Sequence, residues 1–148
     1  MSMKKKNKIG IASDHAGYEL KRELLCYLEE TVVDYGTYND EPVDYPDLAA
    51  ELVKDIELGQ INYGILICGS GIGMSICANR NKFARAALCY SMEAAKLARE
   101  HNDANILVLG ARFTPFEDSK NILDIFLNTK FDGGRHLRRI KKYSASNL

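Results

Sequence analysis

Cys68-Gly69-Ser70-Gly71-Ile72-Gly73 is the segment of this sequence best suited to do chemistry. Three alternating glycines let a backbone approach a ligand closely and turn its N–H groups toward it. A helix-compatible run follows, so the positive end of a helix dipole adds to the same point. The pattern describes an anion cradle. It is not a Walker loop, because no Gly-Lys-Ser/Thr follows, and not the dinucleotide fingerprint, because it follows the third expected strand with GxGxG spacing. Tight strand–helix packing asks for the same glycines, and both uses stay open here. Cys68 ends the strand beside this turn. A thiol at a helix N-terminus can act as base or nucleophile because its thiolate is stabilised there. Taken alone, such a cysteine is more often a small buried hydrophobe than a catalyst, and core packing is the reading given to Cys26, Cys77 and Cys89, which lack this setting.

Three further groups carry polar side chains that could serve such a site. Asp14-His15 follows the first strand, where Asp14 is an N-cap candidate and His15 can face an anion or a hydroxyl. His101-Asn102-Asp103 lies between a helix and the fifth strand. His101 can be a general acid or base, although Asn and Asp are common in any turn. Arg135 and Arg139 are four residues apart and share a helical face. Two guanidinium forks on one face suit a phosphate; a solvated basic face has the same pattern.

The elements that must position these residues read clearly. Lys8–Ser13 is a short apolar strand, and Leu20, Leu24 and Leu28 mark one face of a helix over His15–Glu30. Thr31–Asp34 is a second strand, and residues 36–46 form a loop. Ala49, Leu52, Val53 and Ile56 mark a helix closed by Gly59. Tyr63–Cys68 is apolar nearly throughout, as a strand covered on both faces must be. A helix to Asn81, a strand Ala84–Cys89, a helix from an N-cap at Ser91 to His101, and a strand Ala104–Leu109 follow. Thr114-Pro115 opens a helix to Lys130 with a cap and an N1 proline. Gly133-Gly134 breaks it, and Arg135–Tyr143 forms a last helix before a polar tail. The alternation predicts a three-layer, Rossmann-like or flavodoxin-like α/β fold: a doubly wound, five-stranded parallel sheet with a C-terminal helix, all within one domain over 1–148. Ligands then belong at the carboxyl ends of the strands.

Bulk properties narrow the class. The chain has 148 residues, 46% apolar and 27% charged, with a formal net charge of +0. Nucleic acid and anionic membranes therefore have no global electrostatic attraction to it, despite basic clusters at Lys4–Lys8 and Arg135–Lys142. No apolar run approaches the ~20 residues of a membrane span, and the N-terminus lacks a secretory apolar stretch. A cytoplasmic protein with free thiols is expected. None of the four cysteines forms a CxxC pair, so zinc and dithiol chemistry are poorly supported.

Together the segments resemble the ribose-5-phosphate isomerase B family, in the superfamily shared with galactose-6-phosphate isomerase subunits. The matching stretches are Ala12–Gly17, Asp44–Asp47, Gly64–Asn79 around Cys-Gly-Ser-Gly-Ile-Gly, His101–Asn105, Gly110–Arg112 and Gly133–His136. They stand in the family's order and cover almost the whole chain. The resemblance implies aldose–ketose isomerisation of D-ribose 5-phosphate to D-ribulose 5-phosphate without metal or cofactor, in a homodimer with shared active sites. It implies Cys68 as proton acceptor and His101 as donor assisting ring opening, with the Ser70 hydroxyl able to help. It implies substrate binding by Asp14, His15, Gly69, Ser70, Gly71, Ile72, Gly73, Asn102, Arg112, Arg135 and Arg139, with His15 and the arginines at the phosphate. Met74 stands where another branch carries a glutamate base. Tyr45 and Met74 are the candidates for setting pocket width. Two alternatives remain: an isomerase of a six-carbon sugar phosphate such as allose or galactose 6-phosphate, and a non-catalytic flavodoxin-like module that senses phosphate or nucleotide. A redox thiol protein would need a resolving cysteine near Cys68. The sequence leaves open whether dimers pair into tetramers.

Overall fold

The computed structural model describes residues 6–145. Lys4 and Lys5 of the first basic cluster, and the polar tail from 146 onward, lie outside these residues; Lys6 and Lys8 are exposed. The first half of the chain runs β1 (Ile9–Ser13), a 3-10 turn (His15–Gly17), α1 (Tyr18–Tyr27), β2 (Val32–Asp34), α2 (Tyr45–Glu57) and β3 (Tyr63–Cys68). The second half runs α3 (Ile72–Ala78), β4 (Ala86–Leu88), α4 (Met92–Asn102), β5 (Ile106–Gly110), α5 (Phe116–Asn128) and α6 (Arg135–Ile140).

All strand pairs are parallel and the order is β2-β1-β3-β5-β4. The first three positions follow the flavodoxin order 2-1-3-4-5, and the last two are exchanged. Burial explains which strand goes inside. Every residue of β5 is buried, whereas the three residues of β4 are half-buried and suit an edge. The period of two along each strand sorts the core into two layers. Ile65 and Ile67 of β3, with Leu107 and Leu109 of β5, pack under α1, α4 and α5 through Leu24, Ala95, Ile122, Leu123 and Phe126. Leu66 and Cys68, with Ile106 and Val108, pack against α2 and α3 through Leu52, Val53, Ile56, Met74 and Ala78. Each fully buried Leu or Ile of this kind stabilises the fold by about 1.5–3 kcal/mol relative to exposure.

The chain leaves β1 over one face and returns to β3 over the other. The winding reverses between these neighbours, and that is where a crevice opens at the carboxyl edge of such a sheet.

Several expected boundaries shift for local reasons. The helix expected over His15–Glu30 is a 3-10 turn followed by α1, ending at Tyr27. Cys26 is exposed rather than in the core, because it lies two residues past Leu24 and so points away from the buried face. The Thr114 hydroxyl does not cap α5. Pro115 is the N-cap residue, and Thr114 Oγ1 is buried without a partner. Ser91 does cap α4, accepting from the Ala94 N–H at 3.1 Å. α3 and α6 stop at Ala78 and Ile140, short of the expected Asn81 and Tyr143, and continue as turns. Among the described residues no helix is long and apolar enough to cross a membrane.

Candidate active site

β1 and β3 end side by side, with Ser13 in register with Ile67. The next residue of each chain segment therefore meets at the sheet's carboxyl edge. Asp14 is 6% exposed; its N–H donates to the Ile67 carbonyl at 3.2 Å. Its carboxylate accepts the Gly17 N–H at 3.1 Å, closing the 3-10 turn. That turn presents His15, whose Nδ1 accepts the Val43 N–H at 3.3 Å. A neutral ring accepting there carries its proton on Nε2, which is left as a donor. Tyr45, the first residue of α2, lies across Gly73, where any side chain would collide with its ring. After β5, the Ala111 and Arg112 N–H groups donate to the Cys68 and Gly69 carbonyls, both at 2.9 Å. The Arg112 guanidinium lies so close to Gly69 that a Cβ there would sit 3.0 Å from its Cζ. These residues enclose a cleft of about 460 Å³ lined by Asp14, His15, Tyr45, Cys68, Gly69, Ser70, Ile72, Gly73 and Arg112.

Cys68 sits in its wall, 5% exposed. Gly71 adopts φ +80°, open to glycine at little cost, and this turns its N–H back onto the Cys68 sulfur at 3.2 Å. The Ile72 N–H is likewise taken, by the Ser70 hydroxyl oxygen at 3.1 Å. This corrects the expectation of a ring of amides all facing the ligand, since Gly71 and Ile72 spend theirs inside the turn. Gly73, in the first turn of α3, has no intrahelical acceptor for its N–H. The Gly71 amide thus fixes the sulfur in the cleft wall. The Ser70 hydroxyl accepts one bond and keeps its own proton to donate. Met74 is fully buried between α3 and α2 and does not line the cleft, so it cannot set pocket width.

His101, Asn102, Arg135 and Arg139 are not part of this cleft. α4 runs antiparallel to the strands it connects, and its 11 residues carry His101 and Asn102 back to the amino edge of the sheet. There His101 stacks on His136, with ring centroids 4.3 Å apart and planes at 13°. The donor atoms of His101, Asp132 and His136 lie within 4.8 Å of one another, the one such grouping among the described residues. Loss of hydration lowers the His136 pKa, and the charges of His101, Arg135 and Arg139 lower it further. The positive charges of the same arginines disfavour a divalent cation there. Asn102 also borders a second cavity of about 410 Å³ with Asn79, Lys82, Arg85 and Tyr143. Of the other thiols, burial pushes Cys89 up to about 12 and raises Cys77.

Sequence reasoning missed Ala16 and Ile76 in the cleft lining. Ile76 had a signal, since it stands one helical turn after Ile72 and both are more than half exposed.

The family model described as Ribose/Galactose Isomerase matches residues 9–143, nearly the whole chain. The chain belongs to this isomerase family. Ribose-5-phosphate isomerase B of Escherichia coli is 40% identical to it over 141 residues, spanning 93% of this chain and 95% of that protein. A ribose 5-phosphate isomerase from Thermotoga maritima superposes with TM-score 0.92 at 52% identity, covering 93% of this chain and 97% of that one. The enzyme of Clostridium thermocellum, ribose-5-phosphate isomerase B, superposes with TM-score 0.90 at 46% identity, covering 91% and 93%. Membership of the ribose/galactose isomerase family thus extends over both sheet edges, and both groups of polar residues fall inside the matched span.

Proposed function

We propose that this chain interconverts D-ribose 5-phosphate and D-ribulose 5-phosphate, with Cys68 as the base. The observation that carries the reading is the Cys68 sulfur in the cleft wall, held by the Gly71 amide at 3.2 Å and flanked by Asp14, His15 and Arg112. Its relatives of known name act on the same sugar phosphate.

The chemistry follows from the geometry. The furanose must first open, which needs a proton moved from the C1 hydroxyl to the ring oxygen; Asp14 and Ser70 offer acceptor and donor at the cleft. In the open aldose, Cys68 takes the C2 proton. The electron pair forms the C1=C2 double bond and places charge on O1. The Gly73 N–H, left without an acceptor in the first turn of α3, stabilises that charge from a preset position. The O2 hydroxyl proton passes to O1, and Cys68 returns its proton to C1, giving the ketose. One thiol serves both transfers because the two carbons are adjacent. His15 and Arg112 attract the phosphate, and this remote binding holds the sugar in register.

The second polar group lies at the opposite sheet edge, so we assign it to the cleft of a second copy. In this reading a homodimer has shared sites: His101 assists ring opening, while Asn102, Arg135 and Arg139 complete the substrate contacts from the neighbour. Exposed Ile72, Ile76, Tyr90 and Phe113, 48–64% accessible around the cleft rim, supply an apolar surface for the copy to cover. The reading takes the chain as one domain working in the cytoplasm.

The test is direct. Purified protein should convert ribose 5-phosphate to ribulose 5-phosphate, and faster than it converts six-carbon sugar phosphates. Cys68→Ala should retain the wild-type circular dichroism spectrum and lose about 10²–10⁴-fold in kcat. A Cys68→Ala variant that turns over within a few-fold of wild type excludes the assigned base; a wild type that binds phosphate without turnover points to a sensing module instead.

A further inference from the structure

Lys21 is the one cationic side chain of α1 that the structure buries completely. Its side chain is 1% exposed, on the helical face that also carries Leu20 and Leu24. An ammonium group in such a place is expensive unless paired and hydrogen-bonded. Here Nζ donates to the Asp34 carboxylate at 2.7 Å and to the Thr37 carbonyl. It also stands 5.2 Å from the centre of the Tyr38 ring. The reaction described above uses none of these groups.

What Lys21 holds is the bend that leads from β2 to α2. Asp34 ends β2, and the oxygen that receives Nζ also accepts the Gly36 N–H at 2.9 Å. The Tyr38 hydroxyl donates back to the Asp34 carbonyl at 3.0 Å. Two backbone bonds then fasten the bend to the end of β1: Ser13 N–H to the Gly36 carbonyl at 2.8 Å, and Thr37 N–H to the Ser13 carbonyl at 2.7 Å. Ser13 directly precedes Asp14. Beyond the bend, the same segment delivers the Val43 N–H to His15 Nδ1 and seats Tyr45 over Gly73. Three walls of the cleft thus depend on one loop, and α1 grips that loop through a single buried charge.

We infer that Lys21 is a positioning residue: its buried ammonium fixes the Asp34–Tyr38 bend, and through it the orientation of His15 and Tyr45 toward the bound sugar phosphate. This role rests on the isomerase reading. It predicts an effect on substrate binding rather than on proton transfer, because the hydrogen bonds of the bend run to Ser13 and Lys21 and the bond that holds the Cys68 sulfur comes from Gly71.

The experiment compares Lys21→Met and Lys21→Arg with wild type. Met fills the space without the charge; Arg restores donors to Asp34 and Thr37. Lys21→Met should raise KM for ribose 5-phosphate about tenfold, the equivalent of one lost hydrogen bond, with kcat within about twofold. Lys21→Arg should recover most of the KM. A second readout needs no turnover: the His15 ring nitrogens, followed by ¹⁵N NMR, should report the single Nε2–H tautomer in wild type and a mixture in Lys21→Met. If Lys21→Met fails to fold, Asp34→Asn weakens the same anchor and carries the same expectations. An unchanged KM with an unchanged His15 spectrum overturns the inference. So does a fall in kcat matching the fall in kcat/KM, which would mean general damage. A wild type without isomerase activity defeats the isomerase reading alone, and the His15 spectrum still decides the role of Lys21.

Discussion

If Cys68 and His101 serve one site from two copies, two dead variants should rescue each other. The spacing within one chain sets up the test. Cys68 ends β3 at the carboxyl edge of the sheet, and α4 carries His101 to the amino edge over 11 residues. A helix of that length spans ~16 Å, and the strands it recrosses span a similar distance. Proton relay requires the groups within ~3 Å of a shared substrate, so one chain cannot bring both to it. Cys68→Ala and His101→Ala should each lose at least about a hundredfold in activity. Mixed at equal amounts and allowed to exchange subunits, half of the dimers become hybrids. Each hybrid has one doubly defective site, and one intact site with Cys68 from one copy and His101 from the other. The mixture should therefore regain about a quarter of wild-type turnover, the statistical share for a two-fold assembly. The assay is ribulose 5-phosphate formation after exchange, with hybrid formation followed by native mass spectrometry. Hybrids that form but recover no activity would refute a shared site and return both residues to separate roles.

Arg135→Ala should raise KM for ribose 5-phosphate at least about tenfold with little change in kcat, since a phosphate contact far from the reacting carbons contributes uniform binding; an equal effect on unphosphorylated ribose would remove it from the phosphate site. Under native iodoacetamide labelling followed by peptide mass spectrometry, exposed Cys26 should react first and Cys89 last, with ribose 5-phosphate slowing Cys68; native labelling of Cys89 at the rate of Cys26 would contradict its burial. Cys89 also predicts an alkaline weakness. Its folded pKa of about 12 exceeds the unfolded value near ~8.5, so between them the folded state holds the proton more tightly and stability falls as pH rises. Urea midpoints at pH 8 and pH 10.5 should diverge less in Cys89→Ala than in wild type; equal divergence would rule out this source. Gly71→Ala should cost about 1–3 kcal/mol by thermal melting, because φ +80° is strained for alanine and its Cβ would meet the Leu109 carbonyl oxygen at 3.1 Å; an unchanged Tm would mean the turn relaxes freely.

The parts of this site that the sequence makes legible are those carried by one short segment or by the two-faced burial of a strand. Tyr63–Cys68 reads as an interior strand because it has no polar face to spare, and its last residue is then bound to emerge at the carboxyl edge beside Asp14. Lys21 is different. A lysine near an apolar helical face reads as solvated, because nothing local reveals that Asp34 and the Thr37 carbonyl will arrive from another element. The direction of the Gly71 amide is hidden for a similar reason, since GxGxG permits a left-handed residue without saying which N–H it turns toward the sulfur. Strand order is the deepest gap, and it has chemical consequences. β4 and β5 are both short and apolar, so alternation alone does not say which one pairs with β3. Because β5 does, Gly110 abuts the Ser70 backbone and Arg112 lies on Gly69. With β4 in that place, the residues following the strand beside Cys68 would have been Cys89 and Tyr90, with no cation against Gly69. As built, Tyr90 stands one strand farther out and reaches the turn only through its hydroxyl on the Ser70 carbonyl, at 2.7 Å. The exchange of the last two strands is thus what supplies the cleft with its arginine.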